Sequence, residues 1–111
     1  RTFVSEAMVY RTAGLMDRAI DSLDRTAEDF DRKVIEKVEE FTIECSMIKV
    51  FATEMATEII DQAMQSFGAM GMAREMPFAI MGQRLRLARI YEGPTEVHRM
   101  VIARRVLKGQ A

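Results

Sequence analysis

Apolar residues recur along this chain at helical spacing, and nothing alternates with strand period for long. Val38, Phe41, Cys45, Ile48, Ala52, Met55 and Ile59 advance in steps of three and four, which lays them along one stripe of a helix. Ile43, Met47, Val50 and Phe51 add a second apolar strip. A helix apolar on more than one side is buried between neighbours or at a subunit interface. The pattern predicts one long helix from about Arg32 to Ser66. Val4, Met8, Leu15, Met16, Ile20 and Leu23 predict an N-terminal helix ending near Leu23, and the acidic, polar residues 24–31 predict a loop between antiparallel helices. Gly68, Gly71 and Pro77 end the long helix, and a short helix follows from Pro77, since proline is tolerated at a first helical position. Gly93-Pro94 marks the last break. In the final helix, Val97, Met100, Val101 and Leu107 are expected to face inward. Glu96 suits its positive end, Arg104, Arg105 and Lys108 suit its negative end, and Gly109 suits its stop. The fold class expected is all-α: an antiparallel up-and-down helical bundle forming a single domain over residues 1–111.

Composition narrows the function classes. At 111 residues, 49% hydrophobic and 30% charged, the chain has the make-up of one folded domain rather than a disordered segment. A single cysteine, Cys45, excludes an intramolecular disulfide framework and a Cys-rich zinc site. Its place in the apolar stripe predicts a buried, inert thiol. The lone His98 has no second His or Cys within helical reach, and it lies two residues from Glu96, on a different helix face. No metal site is therefore expected. Ten methionines read as packing residues. No apolar run approaches the roughly 20 residues of a membrane span, and the opening Arg1-Thr-Phe-Val-Ser-Glu6 has no signal-peptide core.

The net charge of −1 hides a split. Residues 1–61 hold 14 acids and 8 bases (net −6), and residues 62–111 hold 3 acids and 8 bases (net +5). The basic half either meets an anionic partner or is a solvated face. Nucleic acid would want exposed aromatics among the bases, whereas Phe67, Phe78 and Tyr91 read as packing residues. The lone Cys45 implies only that no disulfide is needed; the expected setting is intracellular, a bacterial cytoplasm or a mitochondrial matrix.

One position stands out chemically. Glu92 lies in Arg-Ile-Tyr-Glu-Gly-Pro, at a break between helices, beside apolar Ile90 and Tyr91. A partly desolvated carboxylate there would make a better general base, and Gly93 would let a ligand approach the backbone. The alternative is that Glu92 pairs with Arg89 or Arg99 and tidies a loop.

The run Arg89-Ile-Tyr-Glu-Gly-Pro-Thr-Glu-Val-His-Arg-Met-Val-Ile-Ala-Arg104 resembles the C-terminal signature of the acyl-CoA dehydrogenases, flavoenzymes that desaturate acyl-CoA thioesters between Cα and Cβ. Asp61-Gln-Ala-Met-Gln-Ser-Phe-Gly-Ala-Met-Gly-Met72 is similar to the family's Gln-x-x-Gly-Gly-x-Gly segment. Glu6 to Asp17 and Ile43 to Lys49 also resemble stretches of this domain, so the likeness covers nearly the whole chain. It implies that Glu92 is the catalytic base and that its backbone N–H helps hold the thioester oxygen. Some relatives carry the base on an earlier helix and lack Glu here, which favours Glu92 in this chain. The resemblance places Tyr91 and Gly93 at the acyl pocket and Arg104 on the CoA side. Gln65, Gly68 and Ala69 would contact the FAD of a neighbouring subunit, and Thr95 and Glu96 would contact FAD near its adenosine portion. The implied partners are an acyl-CoA substrate, FAD, further copies of the protein in a homodimer or homotetramer, and an electron-transfer flavoprotein as a candidate acceptor. Acyl-CoA oxidases share the domain, and a helical assembly module without chemistry is a further alternative.

The departures from the family pattern are specific. Ala69 replaces the second glycine of the Gly-Gly pair, Pro94 stands where threonine is usual, and Gln83-Arg-Leu85 replaces the common Arg-Asp-Ala. Family members also carry an N-terminal helical domain and a middle β-domain, and an Arg-x-x-Phe cofactor helix expected upstream of Arg1. The chain is thus expected to be a fragment, missing the first helix of its domain and with little or no dehydrogenase activity alone.

Overall fold

The computed structural model describes residues 1–109. Five α-helices follow one another: α1 (Thr2–Asp21), α2 (Phe30–Glu40), α3 (Thr42–Phe67), α4 (Phe78–Ala88) and α5 (Thr95–Leu107), with a 3₁₀ segment at Gly68–Met72. The all-α class holds, and no strand occurs among the described residues. The 26-residue α3 is the spine, and every other helix and the 3₁₀ segment packs against it except that α2 touches it only near their shared end.

The expected helix from Arg32 to Ser66 is two helices. Phe41 (φ −91°, ψ 14°) caps α2 and starts α3. The break frees the Glu39 carbonyl, which then accepts hydrogen bonds from the Thr42 hydroxyl at 2.6 Å and from Arg105 of α5 at 3.1 Å. No glycine or proline marks this junction. Its sequence trace is Thr42, whose hydroxyl competes for a backbone carbonyl.

Between α1 and α2, Asp24 accepts from both the N–H and the hydroxyl of Thr26, which holds its carboxyl below the usual aspartate range. Asp29, at the start of α2, is held low chiefly by Lys33 at 3.0 Å and also by Arg32. Both contributions are present above the ordinary aspartate value and are lost as pH falls through the lowered one.

The far end of α3 is pinned differently. Phe67 and Phe78 meet at 4.9 Å between ring centres, tilted by 56°. Gly71 is buried against the α3 backbone, where a Cβ would lie 2.4 Å from the Met64 carbonyl oxygen.

Burial is shallow. Ile43 is the one apolar residue buried below a tenth of its surface among the described residues, alongside the polar Thr12, Ser46 and Thr95. The accessible surface is 8267 Å², against about 6,200 Å² for a compact monomer of this mass. The radius of gyration is 18.2 Å, where about 13 Å is usual at this length. Two expectations fail for this reason. Cys45 is exposed rather than buried. Of the expected α5 stripe, Val97, Met100 and Leu107 do not face inward, at 41%, 50% and 86% exposed, and only Val101 lies on the covered side. α5 is apolar on two sides while α3 covers one, and the covered side carries Thr95, His98, Val101 and Ile102.

Gly71→Ala is expected to destabilise the chain by about 1–3 kcal/mol, since backbone must move to admit the methyl group. Gly14→Ala, in the middle of α1 with nothing within 4 Å of its added methyl, is expected to stabilise by about 0.5–1 kcal/mol. Urea unfolding of the two variants checks the opposite signs.

Candidate functional site

The link from α4 to α5 is a tight turn. Tyr91 N–H donates to Leu87 O at 3.1 Å, and Thr95 N–H reaches back to Arg89 O at 3.2 Å. Between these closures the backbone turns left-handed twice, at Glu92 (φ 51°) and Gly93 (φ 92°). Glu92 is the one non-glycine residue with positive φ among the described residues. Holding it there costs roughly 1–3 kcal/mol unless surrounding contacts fix it.

Those contacts come from α3 and α5. The Lys49 ammonium donates to the carbonyls of Tyr91 (2.7 Å), Glu92 (3.3 Å) and Gly93. It also lies 5.8 Å from the centre of the Tyr91 ring. His98 Nε2 lies 3.2 Å from the Glu92 carbonyl, and its Nδ1 lies 3.1 Å from the hydroxyl of buried Ser46. A carbonyl only accepts, so Nε2 carries the proton of that bond, while Nδ1 and the Ser46 hydroxyl share the other. Gly93 fits closely above the same imidazole, where a Cβ would lie 2.9 Å from Nε2.

The turn presents Glu92 outward. Its side chain is exposed, and Ile90 and Tyr91 are themselves 54% and 49% exposed. The expected desolvation by these two neighbours is therefore absent in this chain. The alternative pairing fails as well. Arg99 and Arg89 both bind Glu54 of α3, at 2.7 and 3.4 Å. No acceptor among the described residues takes the Glu92 N–H.

The other candidates fall into separate places. Gln65, Gly68 and Ala69 come together with Asp61, Met64 and Met72 around an open concavity of about 340 Å³. Thr95 and Glu96 line a second, smaller cleft of about 120 Å³ with Arg86, Arg89, Ile90 and Pro94. Buried Arg89 Nε has no hydrogen-bond partner among the described residues. Pockets that bury a whole ligand run to roughly 300–1,000 Å³. The first concavity lies at the low end of that range and the second below it. Arg104 is exposed in the last turn of α5 and lines neither cavity. No cluster of metal-binding side chains occurs among the described residues, and no helix is long and apolar enough to cross a membrane.

Over residues 3–107 the chain matches the family model described as "Acyl-CoA dehydrogenase, C-terminal domain". The chain belongs to the acyl-CoA dehydrogenase C-terminal domain family. Among curated relatives of that family, a "Probable acyl-CoA dehydrogenase" of Bacillus subtilis (strain 168) is 34% identical over 110 residues, covering 97% of this chain and 18% of the relative. The mitochondrial short-chain specific acyl-CoA dehydrogenase of Bos taurus is 46% identical over 68 residues, covering 61% of this chain and 16% of the relative. The (R)-benzylsuccinyl-CoA dehydrogenase of Thauera aromatica is 40% identical over 65 residues, with 59% and 16% covered. The chain spans less than a fifth of the length of each. No solved structure matches it.

Within this acyl-CoA dehydrogenase domain, four residues that build the turn lie outside the set expected from sequence: Lys49, His98 in its bridging role, Ser46 and Glu54. A trace of the first was visible, because Lys49 is the one base in the 26 residues of α3. A single cation in an otherwise apolar and acidic helix asks for a local partner.

Gly93→Ala is expected to destabilise the domain by about 1–3 kcal/mol, because both the φ and the His98 ring oppose a methyl group. A melting temperature unchanged from wild type in a thermal scan would contradict this account of the turn.

Proposed function

We propose that this chain is the part of an FAD-dependent acyl-CoA dehydrogenase that supplies the general base, Glu92, for α,β-dehydrogenation of an acyl-CoA thioester. The observation that carries the reading is the turn itself. A base must reach substrate while its backbone stays fixed. Glu92 meets both demands, with an exposed carboxylate on a left-handed turn gripped by Lys49 and His98.

The chemistry follows from these groups. The Glu92 carboxylate takes the proton from the acyl Cα, and the C–H electron pair moves towards the thioester carbonyl. Charge develops on the carbonyl oxygen, and the unpaired Glu92 N–H is suited to receive it. FAD, when bound, would supply the oxidant, an acceptor for the hydride that leaves Cβ. Tyr91 and Gly93 flank the base and line the acyl chain, and Arg104 serves the CoA side. Gln65, Gly68 and Ala69 form one FAD-facing patch, and Thr95 and Glu96 another. The positive charge of residues 62–111 suits two polyanionic ligands.

The excess surface supports the second half of the proposal. Exposed apolar residues on α1, α3 and α5 (Phe3, Tyr10, Ile59, Met100 and Leu107 among them) close against other parts of the enzyme and further copies of it, as a homodimer or homotetramer. That assembly would also cover Glu92 and supply the water exclusion that this chain alone lacks. An electron-transfer flavoprotein then takes up the electrons, in a bacterial cytoplasm or mitochondrial matrix.

In a full-length acyl-CoA dehydrogenase carrying this segment, Glu92→Gln is expected to lower kcat by about 10²–10⁴-fold. Steady-state turnover of a saturated acyl-CoA with an artificial electron acceptor reads the loss. Turnover within a few-fold of wild type would remove Glu92 from the role of base.

A further inference from the structure

Lys49 has an unusual set of partners. Its ammonium has no carboxylate within salt-bridge distance among the described residues, and three successive backbone carbonyls surround it instead: Tyr91 at 2.7 Å, Glu92 at 3.3 Å, and Gly93. An ammonium carries three N–H donors, so each carbonyl can take one. Three carbonyl dipoles that point to one place repel each other unless a cation sits between them. The left-handed conformation of Glu92 and Gly93 is what turns those carbonyls inward, so the charge and the backbone conformation depend on each other.

The Tyr91 carbonyl has a second importance. It belongs to the same peptide group as the Glu92 N–H. Hydrogen bonding to the carbonyl end of an amide polarises its N–H and strengthens it as a donor. Tyr91 O lies closer to the ammonium, at 2.7 Å, than Glu92 O does, at 3.3 Å.

We propose that Lys49 is a positioning residue for the dehydrogenation: its ammonium fixes the turn that presents Glu92 and polarises the Glu92 N–H that meets the thioester oxygen. The inference rests on the reading of Glu92 as the base. Lys49 touches neither substrate nor flavin in this role and acts through the 91–93 backbone. Charge alone does not suffice, because a guanidinium is planar and directs its donors apart instead of onto one converging set of carbonyls. His98 reaches only the Glu92 carbonyl, with a single ring N–H, so it does not replace the ammonium, which meets all three.

The test uses a full-length enzyme containing this segment, with Cys45→Ser as background. Lys49→Met is expected to lower kcat by about 10²-fold, since small misplacements of catalytic groups cost on that scale, with KM within a few-fold of wild type. Lys49→Arg, which keeps the charge and guards against loss of folding, is expected to fall between the two in kcat. Lys49→Cys alkylated to its aminoethyl form restores a lysine-like ammonium and most of the lost kcat. A crystal structure of the Lys49→Met enzyme is expected to show residues 91–93 rearranged and Glu92 no longer at positive φ. An unaltered turn in that structure overturns the proposal whatever the kinetics, and so does a Lys49→Met loss confined to KM or a failure of aminoethylation to rescue. Glu92→Gln that keeps turnover defeats the base reading instead, and the crystal structure still decides whether Lys49 holds the turn.

Discussion

Three backbone carbonyls at residues 91–93 converge on one lysine ammonium, and the candidate site takes its shape from that contact. Two consecutive left-handed residues, one of them a glutamate, do not persist on a short link without compensation. Lys49 supplies it from α3, and His98 supplies a second grip from α5 through buried Ser46. The Glu54 ion pairs to Arg89 and Arg99 then fasten the end of α4 and the start of α5 to the same face of α3. The turn is thus held by a helix more than forty residues earlier in the chain, and its geometry depends on how α3 packs.

That packing is thin. The excess of about 2,000 Å² over a compact monomer is comparable to the surface buried in a stable protein–protein interface. It matches the open character of both concavities. A helical layer of this kind organises polar side chains well, because its hydrogen bonds are local. It desolvates them poorly, because desolvation needs material on every side. The exposed Glu92 carboxylate is the direct consequence: its backbone is fully positioned while its environment remains that of solvent. On the proposed reading, the rest of the enzyme contributes enclosure and flavin, and this segment contributes the aim of the base.

The helices themselves were legible because their apolar residues follow the 3.6-residue period and because Gly68, Pro77 and Gly93-Pro94 punctuate them. The family resemblance was legible in Arg89–Arg104 and holds over residues 3–107. The junction at Phe41 was not, since no helix breaker marks it and the Glu39 carbonyl it frees is taken by Thr42 and a distant arginine. The inward face of α5 was misread because Val97, Met100 and Leu107 share a period with the covered side, and periodicity cannot say which of two apolar faces finds a neighbour in this chain. Cys45 was misread for the same reason. Lys49 and His98 were missed because backbone carbonyls, which have no sequence signature, are their partners. Gln65, Gly68 and Ala69 do share one concavity, whereas Arg104 stands apart from both.

The central claim is that Glu92, aimed by this turn, removes an acyl α-proton. It is tested most directly by the exchange of that proton with solvent. A full-length enzyme carrying this segment, incubated in deuterated water with saturated acyl-CoA thioesters of several chain lengths, should incorporate deuterium at Cα, read by mass spectrometry. The account expects Glu92→Gln to abolish this incorporation. Incorporation by Glu92→Gln at the wild-type rate would contradict it, and the base would have to be sought elsewhere.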